Sequence, residues 1–394
     1  MSKAGVAFVQ ADVGDLSPGG GARRFFVDIF SQYHRDKNRA FRLHFFTDRK
    51  SAQLLAQKPE FGHCSAYVHG MRSPRNRFNN LVENLDWLWK ITRYRIRVVH
   101  ICQYYHVSHY RRLKFLQRLP GFIRPKLVIN FIHCNFPYEY GDANHPLYRE
   151  WHDRFDPLFH DIRLDGVYSW YTLFKTYVEE KKLFRSPPVI HPIKTYCCDA
   201  TKYFPAEKKE NILVWAARFD TQKNPLLFVE ALHRLRSSGR SWPADWKVMI
   251  CGNGALEQNL REKLEEYKLN TLVELRTDIY DMSEIFSRSK CFVSTQLFEN
   301  FTSLSMNEAL SAGNAIVSLN VGQTDSYVRE GWNGYLAKAE TPDALADALA
   351  LYFSEPGKHE TLQRNSRCMT EQVHTTAAFI EEIEAFWQSL RSGS

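Results

Sequence analysis

Two glutamates, Glu299 and Glu308, flank a run of small and polar residues, Asn300-Phe301-Thr302-Ser303-Leu304-Ser305-Met306-Asn307. The chain then continues through Ala309-Leu310-Ser311-Ala312-Gly313-Asn314 into an apolar stretch, Ala315-Ile316-Val317. The order is acid, polar loop, acid on a helix, then strand. In an α/β domain it sets a helix N-terminus, with its unpaired N–H groups and positive dipole end, beside two carboxylates able to bind hydroxyls. A sugar carrying a phosphate suits such a place, although a Ser/Thr-capped helix with solvated acids reads the same way. Upstream, Asn211–Ala216 has the pattern of a buried strand and 226–235 that of an amphipathic helix, with Arg218 and Lys223 in the loop between them. At the carboxyl edge of a parallel sheet that loop opens into the ligand crevice, where two cations can neutralise a diphosphate. Taken alone, an Arg and a Lys on a surface are more commonly solvated charges.

Strands and helices that alternate must position these groups. Strand-like runs fall near Val6–Gln10, Arg42–Phe46, Arg97–Ile101 and Lys126–Ile132, with helical runs between them at Phe25–Tyr33 and Asn79–Lys90. Alternation of this kind means a parallel sheet covered by helices, an α/β class. Asp165–Glu180 reads as the last helix of this first sheet and Pro187–Pro192 as its last strand. The polar segment Cys198–Lys209 reads as a linker, and a second sheet starts at Ile212. A length of 394 residues is enough for two cores. Hydropathy is too broken for a transmembrane span, and Ala4–Val9 is too short for a signal h-region, so the expected location is cytoplasmic. The eight cysteines are scattered without paired spacing, which favours free buried thiols over zinc or disulfides. Charge is uneven: residues 1–130 carry 23 Lys and Arg against 8 Asp and Glu, about +15, and the rest brings the whole chain down to +8.

The ordered set Arg218-x4-Lys223 after a strand, Gly252-Asn253-Gly254, the acid-loop-acid segment followed by Ala309, then Gly322 and Gly334, resembles the donor-binding half of the retaining nucleotide-sugar glycosyltransferases of family 4. Each motif alone is weak, and the order is specific over about residues 210–340. The first half resembles that family less closely, through Gly19-Gly20-Gly21-Ala22-Arg23-Arg24 after the opening strand and through His100 and His133. The resemblance implies the GT-B fold, two Rossmann-like domains facing across a central cleft with a C-terminal helix crossing back to the first. On that frame residues 1–205 form an acceptor-binding domain, 206–375 a nucleotide-sugar donor domain, and 376–394 the returning helix, for which 377–390 has the amphipathic pattern.

Residue by residue, the resemblance implies that Arg218 and Lys223 stabilise the departing diphosphate and that Glu308 binds the ribose hydroxyls. Glu299 would grip the transferred sugar, with the backbone N–H groups of Phe301, Thr302, Ser303, Leu304 and Ser305 on the phosphates. Gly252 belongs to the donor pocket, and His133 would lie by the reacting carbon. Gly20 and Gly21 would let backbone approach the diphosphate or acceptor, and a plain turn explains them nearly as well. The chain departs from the family pattern in four places. The glutamates stand one residue further apart than usual, and the loop between them lacks glycine. Gln323 follows Gly322, and Arg23 stands where an acid is common.

No Asp-x-Asp occurs in the sequence, so the usual metal-holding signature of the other main glycosyltransferase fold is missing, and no metal or cofactor is expected. The expected reaction is transfer of a hexose, with retention, from a nucleotide diphosphate sugar to a hydroxyl of a glycan or lipid-linked glycan in surface polysaccharide biosynthesis. Two alternatives remain open: an epimerase of the same fold, and a non-catalytic protein that binds a nucleotide sugar or glycan. Nucleic acid is not an expected partner. The basic stretch Tyr110–Lys126, with Arg111, Arg112, Lys114 and Arg118, reads either as an ordinary helix with a basic outer face or as a helix on an anionic membrane. In the second case the enzyme is peripheral at the inner face of the plasma membrane, each cation contributing roughly 1 kcal/mol.

Overall fold

A computed structural model describes residues 3–13, 22–71, 77–102, 107–131, 159–169, 173–195, 198–239, 242–279, 281–297 and 303–392. They divide into two compact units, one of Met1–Lys194 with Ile380–Ser394 and the other of Thr195–Phe379. Each unit is built on its own parallel sheet.

In the first unit the strands are β1 Gly5–Val9, β2 Arg42–Asp48, β3 Val68–Met71, β4 Ile96–Ile101, β5 Lys126–Phe131, β6 Gly166–Ser169 and β7 Val189–Pro192, ordered β3-β2-β1-β4-β5-β6-β7. Every residue of β1 is buried, because helices cover both faces and leave no outward side for polar residues. The helix Thr376–Ser392 reaches this unit from Ile380 onward. Its Trp387 packs edge-on against Phe8 and Phe41, and Nε1 donates to Nδ1 of His100 at 3.1 Å. Glu384 accepts from the Tyr33 hydroxyl and from the Ala40 N–H, while Glu382 accepts from the Lys194 N–H and pairs with His191.

One expectation is corrected here, and two groups named in the sequence are given their places. Asp165–Glu180 is not one helix: Gly166–Ser169 is a fully buried strand paired with β5 and β7, and the helix is Leu173–Lys181. Gly166 lies under the terminal helix, where an added Cβ would come 2.6 Å from the Phe386 ring, so a larger residue would have to displace that ring. His100 lies inside the core. It is wholly buried between Phe8, Tyr168 and Trp387, and burial holds its pKa down to about 3, so it stays neutral. In the basic stretch, Arg112 turns inward to Glu83 at 2.7 Å and lies over Trp87, and Lys114 is engaged by Asp161 at 2.8 Å. An unpaired buried guanidinium would be too costly, so the carboxylate draws it into the core.

The second unit has strands β8 Glu210–Ala216, β9 Lys247–Cys251, β10 Val273–Arg276, β11 Ser289–Ser294, β12 Ala315–Leu319 and β13 Gly334–Ala337, ordered β10-β9-β8-β11-β12-β13. Trp215, Phe228, Leu232, Leu349 and Tyr352 fill its core. The helix Pro225–Ser237 starts sharply because Asn224 caps it from a left-handed conformation and Pro225 occupies the first helical position. Lys209 donates to the carbonyls of Phe286 and Ser289, and burial pushes its pKa down to about 7. The six described cysteines are free thiols, five of them buried.

Trp387→Ala should lower the unfolding free energy by roughly 3–5 kcal/mol in a urea titration, since it empties the ring contacts under β1. Lys209 supplies a pH test. Its folded pKa lies below the ordinary 10.5, so between pH 7 and 10.5 the unfolded chain holds a proton that the folded one lacks. Stability from this group therefore rises with pH across that window. The melting temperature of the native protein relative to Lys209→Met should climb from pH 7 to pH 10 and stay level below pH 7.

Candidate functional site

In the second sheet, β8, β9 and β10 follow one another outward in one direction, and β11, β12 and β13 in the other. The order reverses between β8 and β11, so the loops after these two strands leave the carboxyl edge in opposite directions and open a crevice between them. The loop after β8 holds Arg218 and Lys223. The loop after β11 leads through 298–302 to the helix Leu304–Ser311 that carries Glu308.

These two loops are stitched together. The Lys223 ammonium donates to the Gln296 side chain, and the Leu297 N–H donates to the Gln222 carbonyl at 2.9 Å. The Thr295 hydroxyl donates to the backbone carbonyls of Lys223 and Asn224, and accepts the indole N–H of Trp215 at 2.8 Å. Within the β8 loop, Asp220 accepts the Lys223 N–H at 2.9 Å and pairs with Arg218 at 2.6 Å. The Arg218 side chain is 64% exposed, a guanidinium held by one carboxylate with its other face in solvent.

Gly252 and Gly254 make the third wall. Both adopt positive φ, +144° and +151°, and an added Cβ would meet the Ala217 carbonyl oxygen at 1.9 Å or the Phe219 carbonyl oxygen at 2.5 Å. Only glycine allows the loop after β9 to lie so close to the loop after β8. The Phe219 N–H then bonds the Asn253 carbonyl and the Leu256 N–H bonds the Phe219 carbonyl, which fixes the backbone on both sides of Arg218.

The helix carrying Glu308 begins at Leu304, so Glu308 lies in its second turn. Ser303 occupies the N-cap position, and its carbonyl takes both the backbone and side-chain N–H groups of Asn307. The N–H groups of Leu304 and Ser305 belong to the first turn, which has no acceptor inside the helix. Glu308 is half-buried and accepts a hydrogen bond from Tyr203. Burial first, and then the Glu308 charge, push the Tyr203 pKa far up, so the phenol remains a donor. Arg367 fixes this pair from behind. Its guanidinium donates to the carbonyls of Ala200, Tyr203 and Ser311, and the Ser311 hydroxyl donates to the Tyr203 carbonyl.

Arg218, Lys223, Gly252, Ser303, Leu304, Ser305 and Glu308 thus all lie on the loops and helix start at the carboxyl ends of β8, β9 and β11. Glu299, Phe301 and Thr302, like His133, Gly20 and Gly21, lie outside the described residues. Sequence reasoning missed Tyr203, Arg367, Gln296 and Asp220. Asp220, two residues from Arg218, had a local signal, whereas Tyr203 sat in a stretch read as linker and Arg367 on a helix far along the chain.

Two parallel α/β units, with the last helix returning to the first, define the GT-B fold. Solved structures agree along the whole length. Sucrose-phosphate synthase from Thermosynechococcus elongatus superposes with a TM-score of 0.71 at 15% identity, covering all of both chains. HepE from Anabaena, crystallised with UDP and glucose, superposes at 0.69 and 14% identity over 98% of this chain and 100% of that one. Residues 200–369 match the family described as Glycosyl transferases group 1. A Campylobacter jejuni alpha-1,4-N-acetyl-D-galactosaminyltransferase, named for an undecaprenol diphosphate-linked glycan, is 21% identical over 49% of this chain and 51% of its own length. The match therefore spans about half the length of that relative.

Gly252→Ala should cost roughly 2–4 kcal/mol of stability in chemical denaturation, because the methyl can neither fit beside the Ala217 carbonyl nor favour the required φ. The same substitution at Gly239, in the left-handed region at φ +67° with nothing within 4 Å of the added methyl, should cost less.

Proposed function

We propose that this protein is a retaining, metal-independent glycosyltransferase that moves a hexose from a nucleoside diphosphate sugar to a hydroxyl of a glycan or lipid-linked glycan in surface polysaccharide assembly. The observation that carries this reading is the reversal between β8 and β11, where two cations on one loop and a carboxylate on the next helix share one crevice rim. In it, Arg218 and Lys223 stabilise the diphosphate as its bond to the sugar breaks, a preorganised electrostatic effect. Glu308, steadied by Tyr203, accepts the ribose hydroxyls, and the first-turn N–H groups of Leu304 and Ser305 meet phosphate oxygens. Glu299 and His133 act at the transferred sugar. The C1–O bond to phosphate breaks while the acceptor oxygen joins C1 on the same face, and the departing phosphate oxygen takes the acceptor's proton. No metal is needed where Arg, Lys and a helix terminus carry the leaving-group charge.

Relatives lend support without extending to substrate identity. HepE was crystallised with UDP and glucose, and the Campylobacter enzyme is named for a polyprenyl diphosphate glycan. On this reading the protein works at the inner face of the plasma membrane, where such acceptors are presented.

A thermal-shift panel of nucleoside diphosphates tests the reading. A true ligand at a hundredfold excess over Kd stabilises by roughly 2.7 kcal/mol, a shift readily seen. Lys223→Ala should abolish the diphosphate-dependent shift, and Tyr203→Phe should weaken binding about tenfold by loss of one hydrogen bond to a charged partner. No shift with any nucleotide would sink the proposal. Turnover of donor without acceptor, yielding free sugar and nucleotide, would point to the epimerase class instead.

A further inference from the structure

The amino ends of three neighbouring strands in the first unit gather positive charge. Lys3 precedes β1, Arg42 opens β2 and Arg95 precedes β4, joined by the Arg42 N–H to the Ala4 carbonyl and the Gly5 N–H to the Arg95 carbonyl, both at 2.9 Å. With Arg93 they rim a cavity of about 180 Å³ whose walls are Tyr67, Tyr94, Ala66 and His44, and among the described residues no carboxylate lines it. His44 is 3% exposed; its Nδ1 meets His69 Nε2 at 2.9 Å, and its own Nε2 is a buried polar atom without a partner. The crevice proposed above for chemistry is at carboxyl strand ends of the other unit, so this cavity has no part in it.

The helix Arg77–Arg93 leads to the same place. Leu81, Leu85 and Trp89, four residues apart, are 57%, 57% and 56% exposed, while Glu83, Trp87 and Lys90 on the opposite side are buried. Trp89 rests edge-on against Tyr94 at 5.8 Å, and the Arg93 guanidinium lies over the same ring. An outward apolar stripe ending in an amphipathic tryptophan is thus continuous with a cationic cavity. The acid nearest the stripe on this helix, Asp86, is held by Lys90 at 2.7 Å.

We propose that this face docks on an anionic membrane, with Leu81, Leu85 and Trp89 entering the interfacial layer and a phospholipid phosphate seated among Lys3, Arg42, Arg93 and Arg95. Apolar insertion and cation attraction are the two components of interfacial binding, and tryptophan favours the headgroup level. A second copy of the chain is disfavoured as occupant, because a two-fold contact would press this cationic face against itself. The inference deepens the membrane-side placement proposed above and relocates it from the Tyr110–Lys126 stretch, whose Arg112 is buried. Vesicle binding is measured without donor or acceptor, so it stands or falls apart from transfer.

The test is cosedimentation of the full chain with phosphatidylglycerol/phosphatidylcholine vesicles at low salt, for native protein, Leu85→Gln/Trp89→Ser and Arg42→Gln/Arg93→Gln. Losing two cations should weaken vesicle partition about 30-fold, at roughly 1 kcal/mol each. The apolar pair should weaken it comparably, while Arg234→Gln/Arg261→Gln, exposed cations of the other unit, should leave it unchanged. Far-UV circular dichroism and melting temperature check that each variant is folded, and Arg42→Lys should retain binding. Equal losses in the control variant, or no loss in either test variant, would overturn the proposal. So would saturable thermal stabilisation by glycerol 3-phosphate without vesicle binding, which would mark a soluble phosphate-ester site. A concentration-dependent dimer abolished by Leu85→Gln/Trp89→Ser, without vesicle binding, would assign the face to a second copy.

Discussion

A parallel strand can be followed by another only after a crossover that carries the chain over one face of the sheet. When successive crossovers run outward from a central pair of strands in opposite directions, the two central loops diverge and leave backbone and side chains facing an open edge. In the second unit that pair is β8 and β11, and everything offered as a site depends on it. Arg218 and Lys223 are ordinary surface cations until the reversal puts their loop beside the one leading to Glu308. The bonds from Lys223 to Gln296 and from Thr295 to the backbone of Lys223 and Asn224 then hold the divergence to a fixed width.

Rigidity around that edge comes from polar groups buried with partners. Arg367 satisfies carbonyls from three segments, the turn at Ala200, Tyr203 and the end of the Glu308 helix, while Glu371 takes its Nε. Such a clamp is worth more for geometry than for net stability, because desolvating a guanidinium offsets much of what its hydrogen bonds return. Its consequence is that Tyr203 meets Glu308 in one defined orientation. Gly252 and Gly254 serve the same end by the opposite means, giving up side chains so that two loops can touch.

The first unit solves a different problem with similar materials. Its long sheet is sealed by the terminal helix, and Trp387, Glu384 and Glu382 fasten that helix to β1, β4, β7 and the segment before β2 through ring contacts and carboxylate bonds. The excess positive charge of residues 1–130 is then sorted by burial. Arg112 is buried against Glu83 and Arg124 pairs with Asp165, whereas Lys3, Arg42, Arg93 and Arg95 line a cavity.

Periodicity and local motif were enough to indicate an α/β chain of parallel strands, the family that its second half resembles, and the elements on which Arg218, Lys223 and Glu308 ride, because each of these depends on residues close together in sequence. The short strand Gly166–Ser169 escaped that reading. Four residues followed closely by a helix carry too few periods to be told from the helix itself. Which cations are buried and paired was decided by tertiary structure alone: Arg111 and Arg112 are adjacent and chemically identical, yet only Arg112 meets Glu83. Likewise nothing near Tyr203 announces Glu308, more than a hundred residues away, or Arg367 beyond it. A carboxylate, a phenol and a guanidinium become a unit only when the packing of distant helices removes water from between them, and no local pattern encodes that.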